Sequence, residues 1–363
     1  MSNLLKKIRK QSYLSTYLLF SKLLKKYSLF LFFYLFFISC NTPEEIQPVE
    51  LEKNNNTLNK YKLLVLNEGN FGNGVATLSK LNWTGDSLIK VENDAYFNVN
   101  KEYLGNVAQS ITKVGNELWL VINNSQKIVR CTSDLIKINE IKGLNSPRFI
   151  AQNAKYVFVS DLYSNQISVI DKATFSVIKK VYTGAWNEEL LALNNQLWIP
   201  QTSARSVLIM DMNTFEFLDT IPIAREPFAI KKDEKNIVYV LCNGGLNERE
   251  TPYLYQINAS TKQKKDSVNL SILDGVPSRL LIVNNEVFVL AKNIYSIENQ
   301  NIKEVISGRE NNFYGFAAND SYLFVTDAKD YVRNGNLIRY NRKNSSQRET
   351  VELGVIPGYI YIE

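Results

Sequence analysis

Histidine is absent from all 363 residues, and this limits the available chemistry more than any other feature of the composition. Ser-His-Asp and Cys-His nucleophiles, imidazole-held zinc and the commonest general base are excluded. Carboxylate chemistry and oxygen-ligated cations pass that filter. Glu226, Glu310 and Asp274 could supply paired carboxylates, and Asp161 with Asp327 a calcium site, but no Asp-rich loop has calcium-motif spacing. Gly69-Asn70-Phe71-Gly72-Asn73-Gly74 lacks the Lys and following helix of a phosphate loop, so it reads as a turn. What remains is a set of amide, guanidinium, carboxylate and aromatic side chains in the polar stretches between apolar runs. It comprises Asn67, Glu68, Asn70, Phe71, Asn124, Arg148, Tyr163, Trp186, Arg205, Arg225, Asn243, Arg279, Arg309 and Tyr314. Aromatic walls with a few oriented polar groups suit a sizeable polar small molecule, with no cofactor or metal required. The competing explanation is that Asn and Gly are present only because turns need them.

The elements that position these residues repeat. From residue 60 a four-part phrase recurs: a short apolar run often opened by Pro, a strongly apolar aromatic run, a run often ending in Asp, and a more polar run. The clearest copy reads Pro147–Ala151, Tyr156–Asp161, Gln166–Asp171 and Ser176–Val181; the next contains Leu190–Leu193, Gln196–Ile199, Ser206–Asp211 and Phe217–Ile223. The runs are four to six residues long, alternate with period two and are rich in Val, Ile, Tyr and Trp, which argues for strands and against helical repeats. Second-strand centres fall near residues 65, 119, 158, 198, 239, 288 and 324. Seven units of about forty residues predict an all-β, seven-bladed β-propeller of four-stranded antiparallel blades over residues 60–363. The first unit lacks a first strand, and the chain ends with Pro357-Gly358-Tyr359-Ile360-Tyr361-Ile362, a first strand with no second. The C-terminal strand is therefore expected to complete the N-terminal blade and remove an exposed edge. The candidate residues then share the face carrying the second-to-third-strand loops and the inter-blade loops. Cys131 and Cys242 lie inside apolar runs and read as buried small hydrophobes.

Residues 1–39 carry seven Lys or Arg and no acid. Removing those seven from 42 leaves 35 basic against 36 acidic residues, so no basic nucleic-acid footprint remains. Lys25-Lys26, the apolar run Leu29–Ile38, and Ser39-Cys40 form a secretory signal with a small residue at the cut site. Phe37-Ile38-Ser39-Cys40 resembles the lipobox of bacterial lipoproteins, which implies lipidation at Cys40 and attachment to a membrane. An uncleaved signal anchor is the alternative. Residues 40–59 are polar and Asn-rich and read as a flexible tether, with Glu44-Glu45 similar to the surface-export signals of Bacteroidetes lipoproteins.

Leu66-Asn67-Glu68-Gly69-Asn70-Phe71-Gly72, followed by Ala76-Thr77-Leu78, resembles the opening blade of Bacteroidetes YncE-like surface propellers. The Val-Ile-Asp and Ile-Met-Asp endings at 169–171 and 209–211 look similar too. Some members of that group are BtuG-type lipoproteins that capture cobalamin or related corrinoids for a TonB-dependent outer-membrane transporter. The resemblance thus implies a lipid-anchored outer-membrane protein at the cell surface, not an enzyme, that binds a small nutrient. Without histidine, no imidazole could coordinate a corrin cobalt, so stacking and hydrogen bonds would carry the binding. The alternatives are a protein-interaction scaffold of a surface complex, or a propeller enzyme of the lactonase or quinoprotein type.

Overall fold

The computed structural model describes residues 60–70, 74–245, 250–346 and 348–363. The expected signal segment, the lipidation expected at Cys40, the expected tether and the candidate Phe71 fall outside them. Among the described residues there are seven four-stranded antiparallel sheets. Each of blades 2 to 7 is built from four consecutive strands, spanning Ala108–Ile141, Pro147–Tyr182, Leu191–Pro222, Pro227–Asn269, Arg279–Ile306 and Phe313–Val355. Blade 1 joins the two ends of the propeller. Its order is Pro357–Ile362, Lys60–Asn67, Thr77–Thr84, Ser87–Glu92, with Leu63 opposite Ile362 and Val65 opposite Ile360. The expected ring closure is present.

Burial grades across each blade, which explains the four-part phrase. Second strands are covered on both faces, so they read as near-continuous apolar runs; Tyr156–Asp161 and Ile237–Cys242 are buried throughout. Fourth strands, such as Val177–Tyr182 and Phe217–Pro222, are largely exposed. The core lies between blades. Trp119 packs with Val157 and Val159 of the next blade, and Trp198 with Val238 and Val240. Cys131 and Cys242 are free thiols buried among these layers.

The turn between third and fourth strands repeats a local device. Asp171 Oδ1 accepts from the N–H groups of Ala173 and Thr174, and Asp211 Oδ1 from those of Asn213 and Thr214; Asn258 and Asn341 do the same in their blades. This is the physical reason for the Asp that ends the third run. Backbone hydrogen bonds from Thr174 and Ala173, together outweighing slight desolvation, hold the Asp171 carboxyl below its ordinary pKa. One residue further on, Leu135, Phe175, Phe215 and Lys262 all take positive φ, from 54° to 66°. Each reaches back to what precedes its blade. Phe175 lies against Trp119 and under the Arg130 guanidinium, and Phe215 against Tyr156 and Phe158. A helix of six residues, Ala95–Asn100, links blades 1 and 2, and its Asn100 amide donates to the Leu135 carbonyl.

Candidate functional site

Antiparallel pairing puts the end of every second strand, the start of every third and the start of every first at one edge of its blade. In blade 3, Asp161 stands opposite Pro147, and Gln166–Asp171 begins there. All the described candidate residues lie on this face, but they divide by role.

One group holds loops to blades. Asp161 Oδ2 accepts from the Ser146 N–H and Oδ1 from those of Tyr163 and Ser164; Asp327 Oδ1 accepts from Asn312 and Lys329. Both carboxylates are thus engaged by backbone. Asn67 is buried, with its amide donating to Thr77 and Ser79 at 2.9 and 3.0 Å. Asn243 Oδ1 accepts from Gly245 N–H. Asn124 donates to Asn106 Oδ1 at 3.0 Å, and Asn70 lines a small cavity of 210 Å³ with Asn334 and Gly354. Arg225 packs beside Gly245, Arg309 is exposed, and Arg205 pairs with Glu250 on a lateral cleft of 640 Å³ with Tyr253, Tyr255 and Lys264.

A second group converges on the propeller axis. Most first strands open with a bulge, which adds a residue and re-aims its side chain. Register shifts follow Ala108, Pro147, Pro227, Phe313 and Pro357: Gln109, Phe228 and Gly358 are added residues, and Arg148-Phe149 and Tyr314-Gly315 each stand as two residues against one. Glu188 occupies the matching position in blade 4, directly after the Asn187–Gln201 bridge, and Arg279 opens the first strand of blade 6. Contacts among these residues pass between blades around the axis. Arg148 Nε donates to Glu188 at 2.8 Å and its Nη1 to Gln109 Oε1. The Arg279 guanidinium lies 5.5 Å from the Tyr314 ring centre, and the Tyr314 hydroxyl donates to Glu68 Oε1 at 3.1 Å. A β-carbon on Gly358 would come within 2.7 Å of Glu68 Oε1 and 3.1 Å of the Tyr314 ring. Glycine therefore leaves the room in which the Glu68 carboxylate sits. Beneath, Tyr359 of blade 1 meets Phe149 of blade 3 at 6.5 Å. Glu189, next to Glu188, pairs with Lys231 at 2.8 Å and accepts from Ile230 N–H.

The electrostatics follow from this packing. Burial raises the Glu68 pKa, and the Tyr314 hydrogen bond and the Arg279 and Arg148 charges only partly oppose it. Burial works against the charge on Arg148, but Glu188 beside it more than compensates, so Arg148 remains fully cationic. Burial, then the charge of Glu68, pushes the Tyr314 phenol up, which keeps it a neutral donor.

Around this charged floor, the rim carries exposed aromatics. Tyr163 is 65% and Trp186 41% exposed, and they meet edge to face at 5.8 Å. Tyr331, also exposed, meets Tyr314 edge to face. The sequence reading found Glu68, Arg148, Arg279 and Tyr314 but missed Gln109, Glu188, Phe228, Gly358 and Tyr359. The signal was the opening Pro of Pro147-Arg148, Pro227-Phe228 and Pro357-Gly358, since the residue after it turns inward.

Fold and site together define a seven-bladed β-propeller with a charged axial mouth and an aromatic rim. No family model matches the sequence, and no curated protein matches it. Among solved structures, the chain is similar to a quinoprotein alcohol dehydrogenase-like protein from Bacteroides thetaiotaomicron, at 12% identity and TM-score 0.62 over 83% of this chain and 90% of that one. It is also similar to a putative 6-phosphogluconolactonase from Bacteroides uniformis, at 11% identity and TM-score 0.61 over 84% and 99%. Apo AztD from Citrobacter koseri matches at 8% identity and TM-score 0.53 over 84% and 98%. At these identities the likeness is one of fold.

Proposed function

We propose that this chain is a lipid-anchored outer-membrane propeller that captures a small polar nutrient of the corrinoid class at its axial mouth and delivers it to a TonB-dependent transporter. The observation that carries the reading is a recessed charged floor, Glu68, Arg148, Arg279 and Tyr314, beneath a rim whose aromatics Tyr163 and Trp186 are left exposed. A sizeable small molecule with a flat body and polar side chains fits such a surface: its body stacks on the rim and its side chains reach the floor. The resemblance at Asn67–Gly72 supplies the ligand class, and the histidine-free composition supports a binder over an enzyme.

The test is calorimetric titration of the full-length chain in detergent with cyanocobalamin. Saturable binding at micromolar ligand is expected, weakened about tenfold by Trp186→Ala, as for an aromatic anchor at the rim. No heat at micromolar ligand would reject the corrinoid assignment.

A further inference from the structure

Among the described residues, two charges in the mouth stand without an ion-pair partner. Arg148 is satisfied by Glu188 and Gln109, and Lys231 by Glu189. The Glu68 carboxylate accepts one hydrogen bond, from the Tyr314 hydroxyl, and forms no ion pair among the described residues. Arg279 donates to the adjacent Ser278 carbonyl and rests on the Tyr314 ring face, also without a carboxylate. Acceptor and donor thus flank one phenol ring, both partly open to solvent.

This pairing selects by charge. A ligand carboxylate would pair with Arg279 but bring a second negative charge to Glu68. An ammonium would pair with Glu68 but meet Arg279 and Arg148. A neutral group with a donor and an acceptor side by side opposes neither. A primary carboxamide is the compact group of that kind: its NH2 donates to Glu68 and its C=O accepts from Arg279.

We propose that Glu68, Tyr314 and Arg279 form a subsite for a primary carboxamide of the bound ligand, with Glu68 as acceptor and Arg279 as donor. The inference rests on the reading that the mouth takes up a ligand, and it names the functional group recognised there. It also assigns distinct work to the two arginines: Arg148 braces the ring, and Arg279 meets the ligand.

Saturation-transfer NMR on the full-length chain, with propionamide, propionate and propylammonium at millimolar concentration, tests this without a corrinoid. Wild type is expected to prefer propionamide by about fivefold over either ion. Glu68→Gln should gain propionate, and Arg279→Gln should gain propylammonium. A merely structural role for these residues would not produce such opposite shifts. Equal or better binding of either ion by wild type, no binding of any of the three, or variants that keep the amide preference would each overturn the subsite. Cyanocobalamin titrated in parallel separates the two readings. Amide selectivity without cobalamin binding removes the corrinoid assignment and leaves the subsite. Cobalamin binding without amide selectivity removes the subsite alone.

Discussion

Glu68 is held over Gly358 by one phenol hydroxyl, and its elevated pKa has a measurable consequence. A carboxyl whose folded pKa lies above its unfolded value keeps its proton more tightly in the fold. Its presence then weakens stability as pH rises from the ordinary carboxylate range through the folded pKa. Glu68→Gln removes that penalty, so its melting temperature relative to wild type should rise between pH 4 and pH 7.5. A constant difference across that range would show that Glu68 ionises freely. At this scale the sequence was only half legible. Residue types on the loops pointed to Glu68, Arg148, Arg279 and Tyr314, because charged and aromatic side chains in turns have few structural reasons to be there. The types of Asn67 and Asn243 did not reveal whether each amide faces solvent or braces its own loop, which depends on backbone geometry. Gln109 and Glu188 escaped because their inward direction comes from a bulge or its equivalent, and a bulge leaves no trace in period-two alternation.

The third-to-fourth-strand turn shows how an element couples one blade to its predecessor. Asp or Asn fixes the turn through two backbone N–H groups, and the following left-handed residue then points back across the gap. For an aromatic residue this backbone is unfavourable, by roughly 1–2 kcal/mol, and contacts such as Phe215 with Tyr156 and Phe158 offset it. Phe215→Ala should lose about 2 kcal/mol of stability. Phe215→Gly should lose less, by about 1 kcal/mol, because glycine accepts φ of 64° freely. Urea unfolding of both variants checks the order; the reverse order would mean that the turn is unstrained. The Asp of Val169-Ile170-Asp171 was visible as a strand ending from sequence alone. Its use as a turn brace, and the seat of Phe175 on Arg130, required three dimensions.

At the scale of the whole molecule, the ring is shut by Pro357–Ile362 and braced across the same seam by Arg339. That guanidinium of blade 7 bonds the Tyr61 hydroxyl and the Asp86 carbonyl of blade 1 and the Glu349 carboxylate of its own blade, all at 2.8 Å, and lies between the Trp83 and Tyr322 rings. Deleting residues 357–363 leaves Lys60–Asn67 as an open inner edge and removes Tyr359 from the axis. The shortened chain is expected to lose cooperative thermal unfolding by circular dichroism and to aggregate. A sharp melt within a few degrees of wild type would show that the seam is dispensable. The architecture was the most legible level. All seven predicted second-strand centres fall inside observed strands, because those strands are covered on both faces and so carry near-continuous apolar runs at their centres. In the fourth blade the first strand is short, Leu191–Leu193, and falls inside the predicted run Leu190–Leu193, while Asn187 before it forms an isolated bridge with Gln201.

The seam also sets an order of events. The segment that forms the inner edge strand of blade 1 is the last part of the propeller to leave the ribosome, while the other three strands of that blade emerge first. Throughout synthesis the nascent chain can be no more than an unclosed arc. The mouth, which needs Gly358 beneath Glu68, cannot exist until translation of the domain is complete. The mouth is therefore assembled in one late step, and a chain interrupted anywhere before that step lacks it.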